Sequence, residues 1–300
     1  MEQHLPADLH RVRKPKTRLG RALAPYLLVF PGSVWLLLFF LVPLVFMASM
    51  SLQTGNLIEG FRQTWNFGNF VDAISQYRVQ FIRSLVYASI ATAVTLVVAY
   101  PLAYWIAFHG GRHKTVFLFM LILPFLVSFV IRTLAWQWIL SDQGIILGTL
   151  KRWNLLPESF HVLATPAAVI SGIAYNFLPF MALPLYVALE KIDRSVVEAA
   201  RDLYADRVEV FRRVILPLSV PGVFAGILLT FVPAVGDYVN AAILGGTRTT
   251  MIGNIIQLQF LENFRYPIAS ALSFMLMVAL LIGIFAYAKV LGARSIEEYV

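Results

Sequence analysis

The most informative segment of the sequence is Asp193-Arg194-Ser195-Val196-Val197-Glu198-Ala199-Ala200-Arg201-Asp202-Leu203-Tyr204, followed closely by Phe211-Arg212-Arg213-Val214-Ile215-Leu216-Pro217. Apolar residues at neighbouring helical positions predict a short helix with one apolar stripe, formed by Val196, Val197, Ala200 and Leu203. Asp193 or Ser195 can cap the start of this helix through a side-chain oxygen.

A second short helix is predicted to follow, with Val208, Phe211 and Ile215 on one stripe. Pro217 limits how regularly this helix can continue, because proline has no backbone N–H to donate. The result is a charged helix–turn–helix outside the membrane. Its small residues Ala199 and Ala200 would let its backbone approach a groove on another protein closely.

The composition of the whole chain is that of a membrane protein. Hydrophobic residues make up 59% of the 300 residues and charged residues 13%, against about 45–50% and about 25% in soluble domains. These numbers exclude a soluble, disordered or coiled-coil protein. The absence of cysteine excludes a disulfide scaffold and a thiolate nucleophile. There is no phosphate-binding glycine loop, so any ATP would be bound by another chain.

Six long stretches are almost free of charge, and each is long enough to cross a hydrocarbon core of about 30 Å as a helix. They are Leu27–Met50, Ser84–Phe108, Thr115–Leu140, Val162–Leu189, Ile215–Gly236 and Tyr266–Ala288. Only the third contains a formal charge, Arg132. Eleven of the 15 prolines lie inside these stretches, which predicts kinked helices of the kind that line a cavity.

The placement of the basic residues sets the predicted orientation. Six spans put both termini on one side, and 16 of the 24 lysines and arginines fall on that side, which is therefore predicted to be cytoplasmic. The positive net charge is thus a topology signal rather than evidence of a nucleic-acid partner. The basic N-terminal tail is expected to contact anionic lipid head groups.

The quoted stretch resembles the EAA loop of type I ABC importer permeases. The resemblance rests on the spacing from Glu198-Ala199-Ala200-Arg201-Asp202-Leu203 to Phe211–Pro217 and Pro221-Gly222, and it extends over roughly Phe81–Ala288. It implies an all-α, six-helix membrane fold in the bacterial inner membrane. The residues expected to couple to a cytoplasmic ATPase are Glu198, Ala199, Ala200, Arg201, Asp202, Tyr204, Phe211 and Pro217.

Tyr204 departs from the family pattern, which has glycine at this position. Glycine suits a left-handed helix end and tyrosine does so poorly. Either the turn differs in this chain, or the ring of Tyr204 is a contact with the ATPase.

The resemblance also implies an organisation and a set of partners. We expect a basic cytoplasmic tail (1–26), an anchor helix (27–50), a periplasmic loop (51–80), the transmembrane domain (81–288, with its coupling loop at 190–215) and a cytoplasmic tail (289–300). The expected partners are a second permease chain, an ATPase dimer, an extracytoplasmic substrate-binding protein and membrane lipid. ATP and Mg²⁺ would be held by the ATPase, with no cofactor, metal or catalytic centre in this chain.

Within the family, several motifs are similar to the spermidine/putrescine branch. They are Phe177-Leu178-Pro179-Phe180-Met181-Ala182-Leu183-Pro184-Leu185-Tyr186, Gly236-Asp237-Tyr238-Val239, Leu244-Gly245-Gly246 followed by Met251-Ile252-Gly253-Asn254, and Arg132 with Trp136. Permeases for iron, sulfate or thiamine share parts of this set, so these cargoes remain alternatives. Leu147 stands where the branch often has asparagine.

A polycationic substrate should meet carboxylates and aromatic faces. Asp237 at the outer end of the fifth span is the candidate ammonium contact, with Tyr238 or Trp136 supplying an aromatic surface. Equally, Asp237 could pair with Arg132. The positive charge of Arg132 would be neutralised by either Asp237 or Asp142.

Two other classes of membrane protein are alternatives. A secondary transporter would need more intramembrane carboxylates and an internal repeat. A non-transporting scaffold would explain the spans but leave the quoted stretch without a role.

Overall fold

The computed structural model describes residues 28–297, with side chains described through residue 289. The basic N-terminal tail, Leu27 and the last three residues lie outside the described residues. The chain divides into two compact units, residues 1–49 and 50–300. The described part of the first unit is most of helix α1 (Leu28–Ser51), whose large apolar side chains are exposed, as expected for contact with lipid.

The second unit begins with a β-hairpin and a long helix. Strand β1 (Gln53–Asn56) pairs antiparallel with β2 (Gly60–Gln63), and helix α2 runs over Gly68–His109. Asn69 ties the two together, because its Nδ2 donates to the carbonyl oxygens of Ser51 and Gln53 at 2.8 Å each. The expected loop at 51–80 is thus partly wrong: residues 68–80 are helical. Hydropathy marks the lipid-embedded part of a helix, and α2 extends beyond it.

The third span is broken. Helix α3 (Gly111–Leu126) and helix α4 (Phe129–Leu140) meet at 89°. Pro124 cannot donate a helical hydrogen bond, and Val127 and Ser128 take extended ψ values of 145° and 138°. The predicted kink is therefore a sharp corner. The short helix α5 (Leu147–Arg152) follows.

The fourth span is bent and the fifth is continuous. Helices α6 (Pro166–Asn176) and α7 (Leu178–Glu190) meet at 46° around Phe177, with Pro179 in the first turn of α7. Helix α8 (Arg194–Asp202) is short, and α9 (Arg207–Val235) is the fifth span. Helices α10 (Val239–Ile243) and α11 (Ile252–Gln257) precede α12 (Tyr266–Glu297), so the expected tail at 289–300 is helical through Glu297. The described chain has four single spans, or six if each bent pair is one span.

Small residues bring the helices of the second unit into close contact. Ala99, Ala103 and Ala107 form one stripe of α2 and pack in a core with Met181 and Leu185 of α7. Gly222 and Gly226 of α9 face α7 so closely that a Cβ at Gly222 would lie 2.4 Å from Ala188 Cβ. Such close spacing is typical of helix interfaces in membranes. Because lipid removes the hydrophobic driving force between helices, they associate through close van der Waals packing at small residues.

Candidate functional site

The elbow, residues 193–217, is the region that the sequence singled out. Asp193 caps α8, because its Oδ1 accepts the N–H of Ser195 at 2.9 Å, and Asp206 caps α9 through the N–H of Glu209 at 2.7 Å. Of the two predicted caps, Asp193 is therefore correct and Ser195 is the donor. The hydrogen bonds from Ser195 lower the pKa of the Asp193 carboxyl.

Tyr204 adopts the left-handed conformation itself, with φ of +61°. Its N–H donates to the carbonyl of Arg201 at 2.9 Å, which closes the end of α8. The turn therefore has the geometry that a glycine would give, and the expectation of a different turn is wrong. The side chain of Tyr204 is 98% exposed, so its role as a contact remains a prediction.

The apolar residues of the elbow divide between two surfaces. Val197 and Ala200 pack in the core beneath the elbow, but Val196 is exposed and Leu203 is 81% exposed. The predicted single stripe is thus wrong at its edges, because a stripe this wide exceeds what one short helix can bury. Val208 is exposed too, whereas Phe211 packs edge-on against Tyr100 and Ile215 is buried.

Pro217 affects the helix one turn earlier. Residues Phe211–Ile215 form a π-helical turn at the start of α9. Because proline cannot donate to the carbonyl four residues before it, a widened turn is a typical accommodation. Of the predicted coupling residues, Glu198, Ala199, Arg201, Asp202, Tyr204 and Pro217 are exposed, whereas Ala200 and Phe211 are partly buried.

Asp237 lies just after α9 and is almost completely buried. Its Oδ1 accepts the N–H groups of Val239 and Asn240 at 2.9 and 3.0 Å, which caps α10. Its Oδ2 accepts a short hydrogen bond from Nδ2 of Asn240. Within the described residues it makes no ion pair with Arg132, so that alternative is wrong.

Asp237 belongs to a buried group that we call the amide network: Thr133, Asn176, Asp237 and Asn240. Nδ2 of Asn176 donates to Oγ1 of Thr133 and to Oδ1 of Asn240, both at 3.0 Å. The network joins α4, the end of α6 and α10, next to both bent spans. The sequence analysis missed the two asparagines. A polar residue in an apolar span, such as Asn176, indicates a site inside the helix bundle and could have identified the network.

Arg132 and Asp142 are not brought together. The guanidinium of Arg132 lies 4.4 Å from the ring centre of Phe125, across the corner between α3 and α4. Asp142 instead bonds Nζ of Lys151 at 3.0 Å and Nδ1 of His161 at 2.6 Å, which lowers the pKa of its carboxyl. Its predicted role in neutralising Arg132 is therefore wrong.

The two aromatic candidates lie on different elements. Trp136 is one turn beyond Thr133 on α4 and packs edge-on against Tyr175, with ring centres 5.3 Å apart. Tyr238 is 45% exposed, next to the cap of α10. Both rings are close in sequence to members of the amide network: Trp136 to Thr133, and Tyr238 to Asp237. Asp142 belongs to a separate charged cluster with Lys151 and His161.

The chain matches known transport proteins over most of its length. Residues 99–292 match the family described as "Binding-protein-dependent transport system inner membrane component". The chain is 35% identical over 266 residues to the "Spermidine/putrescine transport system permease protein PotB" of Haemophilus influenzae, covering 88% of this chain and 93% of the relative. The Escherichia coli protein of the same name is 34% identical, with 84% and 92% covered.

The fold is shared with solved transporters. The chain aligns with a TM-score of 0.70 and 20% identity to a chain from the crystal structure of a bacterial ABC transporter involved in the import of the acidic polysaccharide alginate. The alignment covers 91% of this chain and 96% of the other. At this identity the likeness shows the fold alone.

Proposed function

Because the chain belongs to the family of binding-protein-dependent transport system inner membrane components, we propose that it is the permease subunit of an ATP-driven importer of polyamines. It is a multi-pass inner-membrane protein. The observation that carries the proposal is the elbow: two capped helices joined by a left-handed turn, with apolar and charged side chains exposed at its tip. A solvated connector has no need of this geometry.

In this proposal, the elbow transmits movement of the ATPase to the membrane spans. Val197 and Ile215 anchor it in the same core as Ala103 of α2 and Leu185 of α7, so a push on α8 reaches several spans. The corner between α3 and α4 and the bend at Phe177 supply places where spans can change angle. ATP binding drives this change only if the nucleotide-bound ATPase binds one arrangement better than the other.

The partners follow from this role. With six spans, the subunit forms half of a pathway and pairs with a second permease chain. A cytoplasmic ATPase dimer holds ATP and Mg²⁺, and this chain is a transport subunit without an ATPase site of its own. An extracytoplasmic binding protein delivers the substrate, and one of the solved alginate transporter structures contains such a periplasmic protein.

Spermidine or putrescine is the proposed cargo because the relatives that match most of the chain are permeases of that system. Asp237 is buried and bonded, so we assign it electrostatic and positioning roles beside the pathway, with Tyr238 and Trp136 as aromatic surface. The guanidinium of Arg132 lies over the ring of Phe125. Iron, sulfate or thiamine is the alternative cargo.

Reconstitution of the complete transporter in proteoliposomes tests the proposal. We expect ATP-dependent uptake of radiolabelled spermidine or putrescine that requires the binding protein. Glu198→Gln should reduce uptake and ATPase association, whereas the control Glu158→Gln in the α5–α6 connection should not. Uptake of iron, sulfate or thiamine in place of polyamines would overturn the cargo. Unchanged uptake and association in Glu198→Gln would overturn the coupling role.

A further inference from the structure

A cavity of about 570 Å³ lies between α8, the last turns of α2 and the beginning of α9. Its floor is apolar and aromatic, formed by Tyr104, Phe108, Val197, Val210 and Ile215. Its rim is polar, formed by the charged residues Arg194, Glu198, Arg201 and Arg207 together with His109. We call it the arginine cavity. It lies beneath one face of α8, because positions 194, 198 and 201 are spaced by four and three residues.

The charges of this cavity are unbalanced. Three guanidinium groups face one carboxylate, and none of the three is in an ion pair in the part of the chain that the structure describes. Two other ion pairs involve residues close in sequence to the lining: Nζ of Lys114 lies 2.7 Å from Oε1 of Glu190, and Nη2 of Arg213 lies 3.0 Å from Oε1 of Glu209. Among the described residues, no carboxylate lies within ion-pair distance of the three arginines on the rim.

We propose that the arginine cavity receives a carboxylate side chain from the ATPase. The inference rests on the proposed function and specifies the chemistry of the partner. Arginine presents a planar fork that binds a carboxylate through two parallel hydrogen bonds, and three such forks surround one cavity. The aromatic floor accommodates the apolar part of the inserted segment. Arg194 and Arg201 are on the helix whose tip exposes Leu203 and Tyr204, so one partner can cover both surfaces.

Binding between the detergent-purified permease complex and its ATPase tests this inference. The double variant Arg194→Gln/Arg207→Gln should weaken binding about tenfold and make it less sensitive to salt, because charge-assisted contacts are lost. The control Arg112→Gln/Lys289→Gln removes two exposed cations that lie outside both the cavity and the elbow, and it should change binding less than twofold.

A cross-linking experiment identifies the occupant. Because the chain has no cysteine, Arg194→Cys introduces a single attachment point for a photoreactive label in the assembled transporter. We expect adducts with an ATPase peptide that contains aspartate or glutamate. Adducts with phospholipid, or with the second permease chain, would overturn the inference.

The two proposals fail differently. If the wild-type permease binds no ATPase, the proposed function fails. If the wild type binds and the cavity double variant binds equally well, or if the control weakens binding as much, only the arginine cavity inference is overturned.

Discussion

At the elbow, charged and apolar side chains are open to solvent, whereas in the amide network polar side chains are buried and bonded to one another. Leu203 and Tyr204 are more than four-fifths exposed, and Arg194, Arg201 and Arg207 have no ion pair within the described residues. Thr133, Asn176 and Asn240 are buried completely. Since a buried polar group costs free energy unless it is bonded, these side chains bond one another, and within the described residues Oδ1 of Asn176 is the network atom without a partner.

This contrast separates two kinds of task. We propose that the exposed side chains of the elbow make their contacts with a partner chain. The side chains of the amide network instead bond α4, α6 and α10 to one another where two spans bend. Changes in the network should therefore affect folding first, and changes in the elbow should affect coupling with little effect on folding.

The largest expected effect is on stability, from Asn240→Ala. This change removes one of the two acceptors of Asn176 Nδ2 and the donor to Oδ2 of Asp237, which leaves a buried carboxylate oxygen without its donor. We expect a loss of about 3 kcal/mol in the free energy of unfolding. A lower unfolding temperature in nanodiscs would show it. The control Ser89→Ala removes an exposed hydroxyl that bonds only the carbonyl of its own helix at Leu85. Equal stability of the two variants would contradict the role of the network.

A second test adds a methyl group beside the network. A Cβ at Gly172 would lie 2.3 Å from Cδ1 of Leu244 and 2.8 Å from Oδ1 of Asn240. Gly172→Ala should therefore destabilise the subunit by about 2 kcal/mol through overpacking. Gly283→Ala is the matched control, since nothing lies within 4 Å of its Cβ. If Gly172→Ala melts at or above the temperature of the control, the close packing around Asn240 is wrong.

Features set by residues close together in the sequence could be predicted, whereas features set by residues far apart could not. Hydropathy identified the spans, and the Asp193 cap was predicted because cap and donor are two residues apart. The start of α2 at Gly68 was missed because helices continue outside the bilayer without a hydropathy signal. The link between Asn176 and Asn240 could not be predicted, because these residues lie 64 positions apart and only packing brings them together.

The elbow supplies a test in which stability and function change in opposite directions. Tyr204→Gly removes the exposed ring and relieves its left-handed backbone, so it should stabilise the subunit by up to about 1 kcal/mol. Tyr204→Ala removes the ring and keeps the strain. Both should reduce ATP-driven uptake to a similar extent if the ring is the contact.

The comparison between these two variants assigns the cause. Thermal unfolding and uptake are measured on the same reconstituted samples, with Tyr204→Phe as the conservative control. Normal uptake in both Gly and Ala variants would show that the ring has no part in coupling. Loss in the Gly variant alone would show that the coupling depends on a rigid turn instead.

The smallest expected effect concerns the cap of α8. Hydrogen bonds from Ser195 lower the pKa of Asp193, so the ionised carboxyl stabilises the folded elbow. This contribution is complete above the ordinary pKa of aspartate and is lost as the pH falls through the lowered value. Hydrogen exchange of residues 193–202, corrected for its intrinsic pH dependence, should therefore accelerate in acid. Asp193→Asn keeps an accepting oxygen without the charge and should show less of this acceleration, whereas Asp193→Ala should exchange faster at every pH. An Asn variant with the same pH dependence as the wild type would assign the acid effect to another group.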